Sequence, residues 1–177
     1  LKRILHEDEL NEAIRNAKNF QGIDFVDANL ENYGITYNIR GKGHIPKTGR
    51  YIAVSNHPLG GPDGLIFTSA IGKVRKDIKF IVNDLLLNVT NVANLFVPVN
   101  KHGRNSKEAV QLMEKTYQSD EMVLNFPFGL VSRRKKGIIQ DLEWKKSFVT
   151  KAKQHQRDIL PAFIDGRNSN FFYALAN

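Results

Sequence analysis

Tyr51-Ile52-Ala53-Val54-Ser55-Asn56-His57-Pro58-Leu59-Gly60-Gly61-Pro62-Asp63-Gly64 is an apolar run that passes straight into a loop rich in glycine and proline. The run predicts a strand from Tyr51 to Val54, and the loop that stops it carries a histidine and a carboxylate at the strand's end. That arrangement suits a general base. Imidazole, with an unperturbed pKa of about 6.5, takes a proton near neutrality, and a nearby aspartate fixes its tautomer and stabilises the imidazolium. The same residues also read as a plain turn, since two glycines flanked by prolines are turn chemistry whatever else the loop does. Both readings stand on this segment alone.

Working outward, strands and helices alternate. Upstream, His6 to Phe20 has acids in its first turns and apolar Leu10, Ala13, Ile14 and Ala17 at helical spacing, with Gly22 shortly after, so an amphipathic helix is expected there. Its polar face is acidic at the start, which favours a core contact over a membrane anchor. Ile35 to Arg40 alternates apolar and polar residues, and a loop with His44 in it then leads to the Tyr51 strand. Downstream, a short helix is expected at Leu65–Ile71, a strand at Ile78–Val82, a helical piece at Leu85–Val89 and a strand at Phe96–Val99. A helix follows from an Asn105 cap with Glu108 three residues on. Met122 to Phe126 reads as a strand, and Ile139 to His155 as a helix with Leu142, Phe148, Val149 and Ala152 facing inward. Ile159–Ile164 is the last strand, before an apolar stretch with a possible cap at Ser169. This alternation argues a layered α/β fold, a central mixed β-sheet flanked by helices with a helix at the N-terminus. In such folds function sits in loops at strand ends, where His57, Lys101, Gly129 and Pro161 fall.

Composition bounds the chemistry. The chain of 177 residues is the size of one domain, divided here into an N-terminal helical segment, 1–34, and an α/β domain, 35–177. It starts without methionine and stops in a segment that still reads as helical, so more chain is expected at either end. The absence of cysteine excludes thiol nucleophiles, disulfides and thiolate metal sites, and fits a reducing compartment. No apolar run approaches the roughly twenty residues that cross a bilayer. Net charge is +8, and residues 101 to 157 hold thirteen Lys and Arg against six acids. Such a surface attracts anionic headgroups, acidic carrier proteins or nucleic acid alike. Lys145, Lys146, Lys151 and Lys153 read as a solvated helix face, whereas Arg133 and Arg134 lie in a loop after a strand and are better placed to touch substrate.

That loop is Phe126-Pro127-Phe128-Gly129-Leu130-Val131-Ser132-Arg133. Asn56-His57 with Asp63, followed about seventy residues later by Phe-Pro-x-Gly-x-x-Ser-Arg, resembles the glycerolipid acyltransferase superfamily that includes lysophosphatidic acid acyltransferases. His-Pro-Leu-Gly-Gly and Asp141-Leu142-Glu143-Trp144-Lys145-Lys146 resemble its bacterial haemolysin-like branch, which includes acyltransferases of lyso-amino-acid lipids. The likeness covers roughly residues 35 to 170. Two departures stand out: five residues separate His57 from Asp63 where the superfamily usually has four, and Phe128 stands where it commonly has glutamate. A phenylalanine accepts no hydrogen bond from a glycerol hydroxyl or an amine, so the acceptor class is left open.

The resemblance implies acyl transfer from acyl-carrier protein or coenzyme A to a lyso-lipid acceptor, a lyso-ornithine or related amino-acid lipid first and lysophosphatidic acid next. His57 is the implied general base and Asp63 its partner. Asn56, Phe126, Gly129 and Ser132 are placed around the substrate, Arg133 and Lys101 on its anionic part, and N–H groups near Gly129 on the oxyanion. Asn100 aligns with that basic position as well as Lys101 does, and Leu160-Pro161-Ala162 is similar to the superfamily's last short motif. Ser132 is expected to hydrogen-bond the motif loop. No Gly-x-Ser-x-Gly elbow implies an acyl-enzyme, and the five histidines lack ligand spacing, so neither a metal nor a resident cofactor is expected. The expected location is peripheral, on the anionic inner face of the cytoplasmic membrane. Two other classes remain: a noncatalytic lipid or acyl-carrier binding protein, motivated by Phe128 and the longer spacer, and a nucleic-acid binder, which rests on charge alone and lacks any recognition motif.

Overall fold

The computed structural model describes residues 12, 15–83, 86, 88–100 and 106–176. Five strands form the central sheet: β1 (Tyr51–Ser55), β2 (Ile78–Asn83), β3 (Phe96–Val99), β4 (Met122–Asn125) and β7 (Asp158–Ala162), in the order β3-β2-β4-β1-β7. The layered α/β architecture matches the expectation, with one correction. All four pairings are parallel, so the sheet is not mixed. Each strand returns to the same edge through a long crossover, which is what parallel pairing requires. The two prolines that stood inside strand-like runs, Pro98 and Pro161, fall on β3 and β7, the outer strands, where a missing N–H costs least.

Period-two alternation splits the apolar residues between two layers. Ala53, Met122, Leu124, Phe80 and Val82 face a core shared with α1 (Gly22–Asn32) and α2 (Gly61–Gly72). Ile52, Val54 and Val123 face the other way, against Tyr117 and Met113 of α3 (Lys107–Gln118) and Ala152 and Phe148 of α4 (Ser147–Gln154). Each Val, Leu, Ile, Phe or Met among them contributes about 1.5–3 kcal/mol when withdrawn from water. A fifth helix, α5 (Asn170–Ala176), opens with the Ser169 hydroxyl accepting from Phe172 N–H at 3.1 Å.

Several boundaries differ from expectation. Helix α1 was not expected, because Gly22 reads as a stop; it is instead the first residue of a helix that buries Ile23, Phe25, Val26 and Leu30. Its fit on α2 is close: a Cβ on Gly72 would lie 2.8 Å from Ile23 Cγ2. The helix expected over Ile139–His155 is only Ser147–Gln154. Residues Ile138–Gln140 form β6, paired antiparallel with β5 (Arg133–Lys135) across a two-residue turn in which Lys136 and Gly137 both take positive φ, 50° and 81°. Leu142, expected inward, is exposed. The cap expected at Asn105, most of the His6–Phe20 helix and part of the Leu85–Val89 piece lie outside the described residues, as does Lys101. Ser106 caps α3, its hydroxyl accepting from Ala109 N–H at 3.1 Å.

At the opposite edge of the sheet from the loops of interest, Arg157 is a buried clamp. Its guanidinium donates to the carbonyls of Thr116 (2.9 Å), Tyr117 (2.8 Å), Glu121 (2.7 Å), Tyr51 (3.3 Å) and Ser119. Those groups include the carbonyls that α3 leaves unpaired at its C-terminus.

Candidate active site

Because the sheet is parallel, the C-terminal ends of all five strands share one edge, and the site gathers there. β1 delivers Asn56 and His57; α2 begins four residues later with Gly61 and Pro62 in its first turn. Asp63, also in that first turn, is fully buried, and its Oδ2 accepts from Leu59 N–H (2.7 Å) and Gly60 N–H (3.0 Å), the contacts a carboxylate makes at a helix N-terminus. The same Oδ2 lies 3.0 Å from His57 Nδ1. Oδ1 is buried with no hydrogen-bond partner among the described residues. Between His57 and Asp63 the chain turns at Gly60, whose φ of 86° and ψ of −127° are open to glycine alone. The longer spacer therefore keeps the imidazole and carboxylate in hydrogen-bond contact.

With Nδ1–H donating to Asp63, the lone pair of His57 is on Nε2. The ring lies on Phe126, centroids 4.1 Å apart and planes 17° from parallel, and Phe126 in turn packs on Phe67 and Phe80. His57 is thus held by a hydrogen bond on one edge and a ring on one face, with its side chain 18% exposed.

His57 lines a cavity of about 1170 Å³ that runs over the sheet edge. One arm lies on the α1 side and is mostly apolar, walled by Phe25, Val26, Ile35, Val82, Val92 and Phe96, with Asn29, Tyr33 and Thr68 as its polar lining; the other, on the α3 and α4 side, carries Asn125, Glu143, Lys145 and Lys151. Burial pushes the Tyr33 phenol, in the apolar arm, above its ordinary pKa, and pushes Tyr117, in the other arm, up to about 12. Both hydroxyls are neutral at physiological pH. Lys151 is engaged by Glu114 at 2.6 Å, and that hydrogen bond holds the glutamate below its ordinary value.

The remaining candidates divide. Phe126 and Gly129 line the cavity with His57. Gly129 has φ 74°, and its N–H is committed to Phe126 O at 2.9 Å, closing the turn after β4. Asn56, Ser132 and Arg133 are not among the cavity's described lining residues. The Asn56 amide bonds Ile164 in both directions, Nδ2–H to its carbonyl (2.9 Å) and Oδ1 from its N–H (2.7 Å), tying the end of β1 to the exit of β7. Arg133 donates to Val131 O at 2.6 Å. Ser132 is buried and joins the two loops, its N–H donating to His57 O at 2.8 Å and its hydroxyl to Asp141 Oδ1 at 2.5 Å.

Asp141 is the residue that sequence reasoning missed. Its Oδ1 also accepts from His57 N–H (3.3 Å), and its Oδ2 from the Trp144 indole (2.8 Å), so one carboxylate clasps the His57 loop, the motif loop and the strand-to-helix connection. The signal was an acid three residues before the single tryptophan, obscured by the helix expected there. Asp141→Ala strips the acceptor from three donors at once. A loss of about 2 kcal/mol in urea unfolding is expected, since each unpaired buried group costs about 1–3 kcal/mol.

A family described as "Acyltransferase" matches residues 1–177. The chain is 44% identical over 178 residues to proteins named lyso-glycine lipid O-acyltransferase from Bacteroides thetaiotaomicron and from Phocaeicola vulgatus, in each case along all of this chain. It spans 65% and 64% of the length of those relatives. No solved structure matches it. A family match along the entire chain and two relatives at 44% identity make this chain a member of the acyltransferase family.

Proposed function

We propose that the protein transfers a fatty acyl chain from a thioester, on acyl-carrier protein or coenzyme A, to the hydroxyl of a lyso-amino-acid lipid, with His57 as general base. The observation that carries this reading is the His57–Asp63 pair, 3.0 Å apart, lining a cavity with an apolar arm. An acyl chain laid in that arm brings its thioester carbonyl to the imidazole. Nε2 takes the acceptor hydroxyl proton as the oxygen attacks the carbonyl carbon, and Asp63 stabilises the imidazolium. Collapse of the tetrahedral intermediate breaks the C–S bond, and the proton passes from Nε2 to the departing thiolate. Atoms balance without an acyl-enzyme. The relatives' names support a glycine lipid as the acceptor.

The basic hairpin Arg133–Gln140 and the lipid acceptor support peripheral attachment to an anionic membrane surface at the cytoplasmic face. No helix among the described residues is long and apolar enough to cross a membrane. The test is acyl transfer by the full-length protein from labelled acyl-carrier protein and from acyl-CoA to lysoglycine lipid, lyso-ornithine lipid and lysophosphatidic acid. A diacylated product from lysoglycine lipid is expected. Product from none of the three, with lipid binding intact, would replace this reading by that of a noncatalytic lipid-binding protein.

A further inference from the structure

We propose that Lys145 binds the carboxylate of the acceptor lipid, held above the motif loop by the Asp141 clasp; this rests on the acyl-transfer reading and names the contact that selects its acceptor. The sequence alone places Lys145 on a solvated helix face. In the structure it precedes α4, and its backbone N–H donates to Pro127 O at 3.1 Å, fastening it to the loop that follows β4. Its ammonium lies over the Gly129 turn, 3.8 Å from where a Cβ on that glycine would stand. Lys145, Gly129 and His57 line the same cavity. The segment is secured from its other end too, because the neighbouring Trp144 bonds Asp141, which also holds the His57 backbone N–H. The position of this charge is therefore coupled to that of the base.

Its charge is available. Lys151, the other lysine among the described residues that line the cavity, is paired with Glu114, whereas no carboxylate among the described residues lies within ion-pair distance of Lys145. Both oxygens of Asp141 are taken by His57 N–H, Ser132 and Trp144. Phe128, in the same turn, offers a ring and no negative charge. Glu143, exposed and two residues earlier, is the carboxylate nearest in sequence that shares the cavity.

A glycine whose amine is used in an amide keeps one ionised group, its carboxylate. One ammonium beside the motif loop, with no ion-pair partner among the described residues, matches one such anion, as a point charge without a directional fork. The phosphate of the thioester donor shares this anionic chemistry, so the experiment separates the two.

Lys145→Met and Lys145→Arg would be compared with wild type on lysoglycine lipid and on its carboxyl methyl ester, varying acceptor and donor in turn. Loss of one charge-assisted hydrogen bond is expected to raise the KM for lysoglycine lipid about tenfold or more in Lys145→Met, with kcat changed far less. The methyl ester should show the same raised KM with wild type and variant, the donor KM should stay put, and Lys145→Arg should retain most of the affinity. Binding of both lipids to His57→Ala protein, with and without Lys145→Met, gives the same comparison without turnover. An unchanged acceptor KM and affinity, or an equal weakening toward the ester, overturns the proposal. A shift confined to the donor KM also overturns it and moves Lys145 to the donor's phosphate. If no transfer occurs with wild type but the variant still loses carboxylate-dependent binding, the acyl-transfer reading fails while the site stands.

Discussion

His57→Ala is expected to lower kcat for acyl transfer by about a hundred- to ten-thousandfold, the usual contribution of a positioned general base. The variant should remain folded, because the ring is only stacked on Phe126 and bonded to a carboxylate that keeps its other partners, Leu59 N–H and Gly60 N–H. Asp63→Asn tests the other half of the pair. Its carbonyl oxygen can still accept from the two backbone groups at the start of α2, so the helix entry survives, but the charge that stabilises an imidazolium is gone. A comparable loss of kcat is therefore expected, together with a stability loss of about 1–3 kcal/mol, because the new amide N–H groups stand unpaired where Oδ1 is buried. Steady-state rates with saturating acceptor, measured beside circular dichroism melts, separate chemistry from folding. Retention of more than about a tenth of the activity by His57→Ala, against the size of effect general-base catalysis predicts, would remove His57 from the role.

Arg157→Met should cost about 3 kcal/mol or more in stability, because several buried carbonyls lose their donor at once and each costs about 1–3 kcal/mol when unpaired. Methionine keeps most of the buried stem while deleting every donor. The carbonyls of Thr116, Tyr117, Ser119, Glu121 and Tyr51 then lose a partner at a site where Arg157 itself is 5% exposed. Desolvation in that setting pulls the guanidinium below its ordinary pKa, with Arg50 adding to the effect, yet it stays charged. Arg50 bonds Tyr117, Gln118 and Ser119 from the more exposed side and cannot reach all five acceptors. Urea titration of wild type and variant measures the difference, and a loss below about 1 kcal/mol would mean that water or Arg50 replaces the clamp.

Much of the α/β frame was legible because its signals are local. Tyr51–Val54, Ile78–Val82, Phe96–Val99 and Met122–Phe126 are short apolar runs bounded by breakers, and each is a strand. The pairing of His57 with Asp63 was legible too, as a histidine and a carboxylate in one loop, although the turn at Gly60 across which they close to 3.0 Å is visible only in the structure. What escaped depends on partners distant in sequence. The helical reading of Ile139–His155 failed because Ile138–Gln140 has a strand to pair with at Arg133–Lys135, and a hairpin won over a helix of modest propensity. Asn56, Ser132 and Arg133 sit in motif positions yet spend their polar atoms on Ile164, Asp141 and Val131, choices visible only once the loops are assembled. Asp141 and Lys145 escaped for the same reason, since both meet the site from the connection that follows that hairpin.

The order in which the chain leaves the ribosome matters for a sheet built this way. β1 has no neighbour among the strands that come immediately after it: Ile52 pairs with Val123 on one side and with Ile159 on the other. Until Val123 has been made Ile52-Ala53-Val54 is therefore an unpaired apolar strand, and the loop that carries His57 hangs from it unanchored until Asp141 and Ile164 have emerged. Contacts of such long sequence separation form slowly and leave sticky edges open meanwhile. A nascent chain stopped before Asp158 lacks a strand of the sheet and the Ile164 anchor, so the His57 loop is fully tied down only once β7 has been added, and not by degrees.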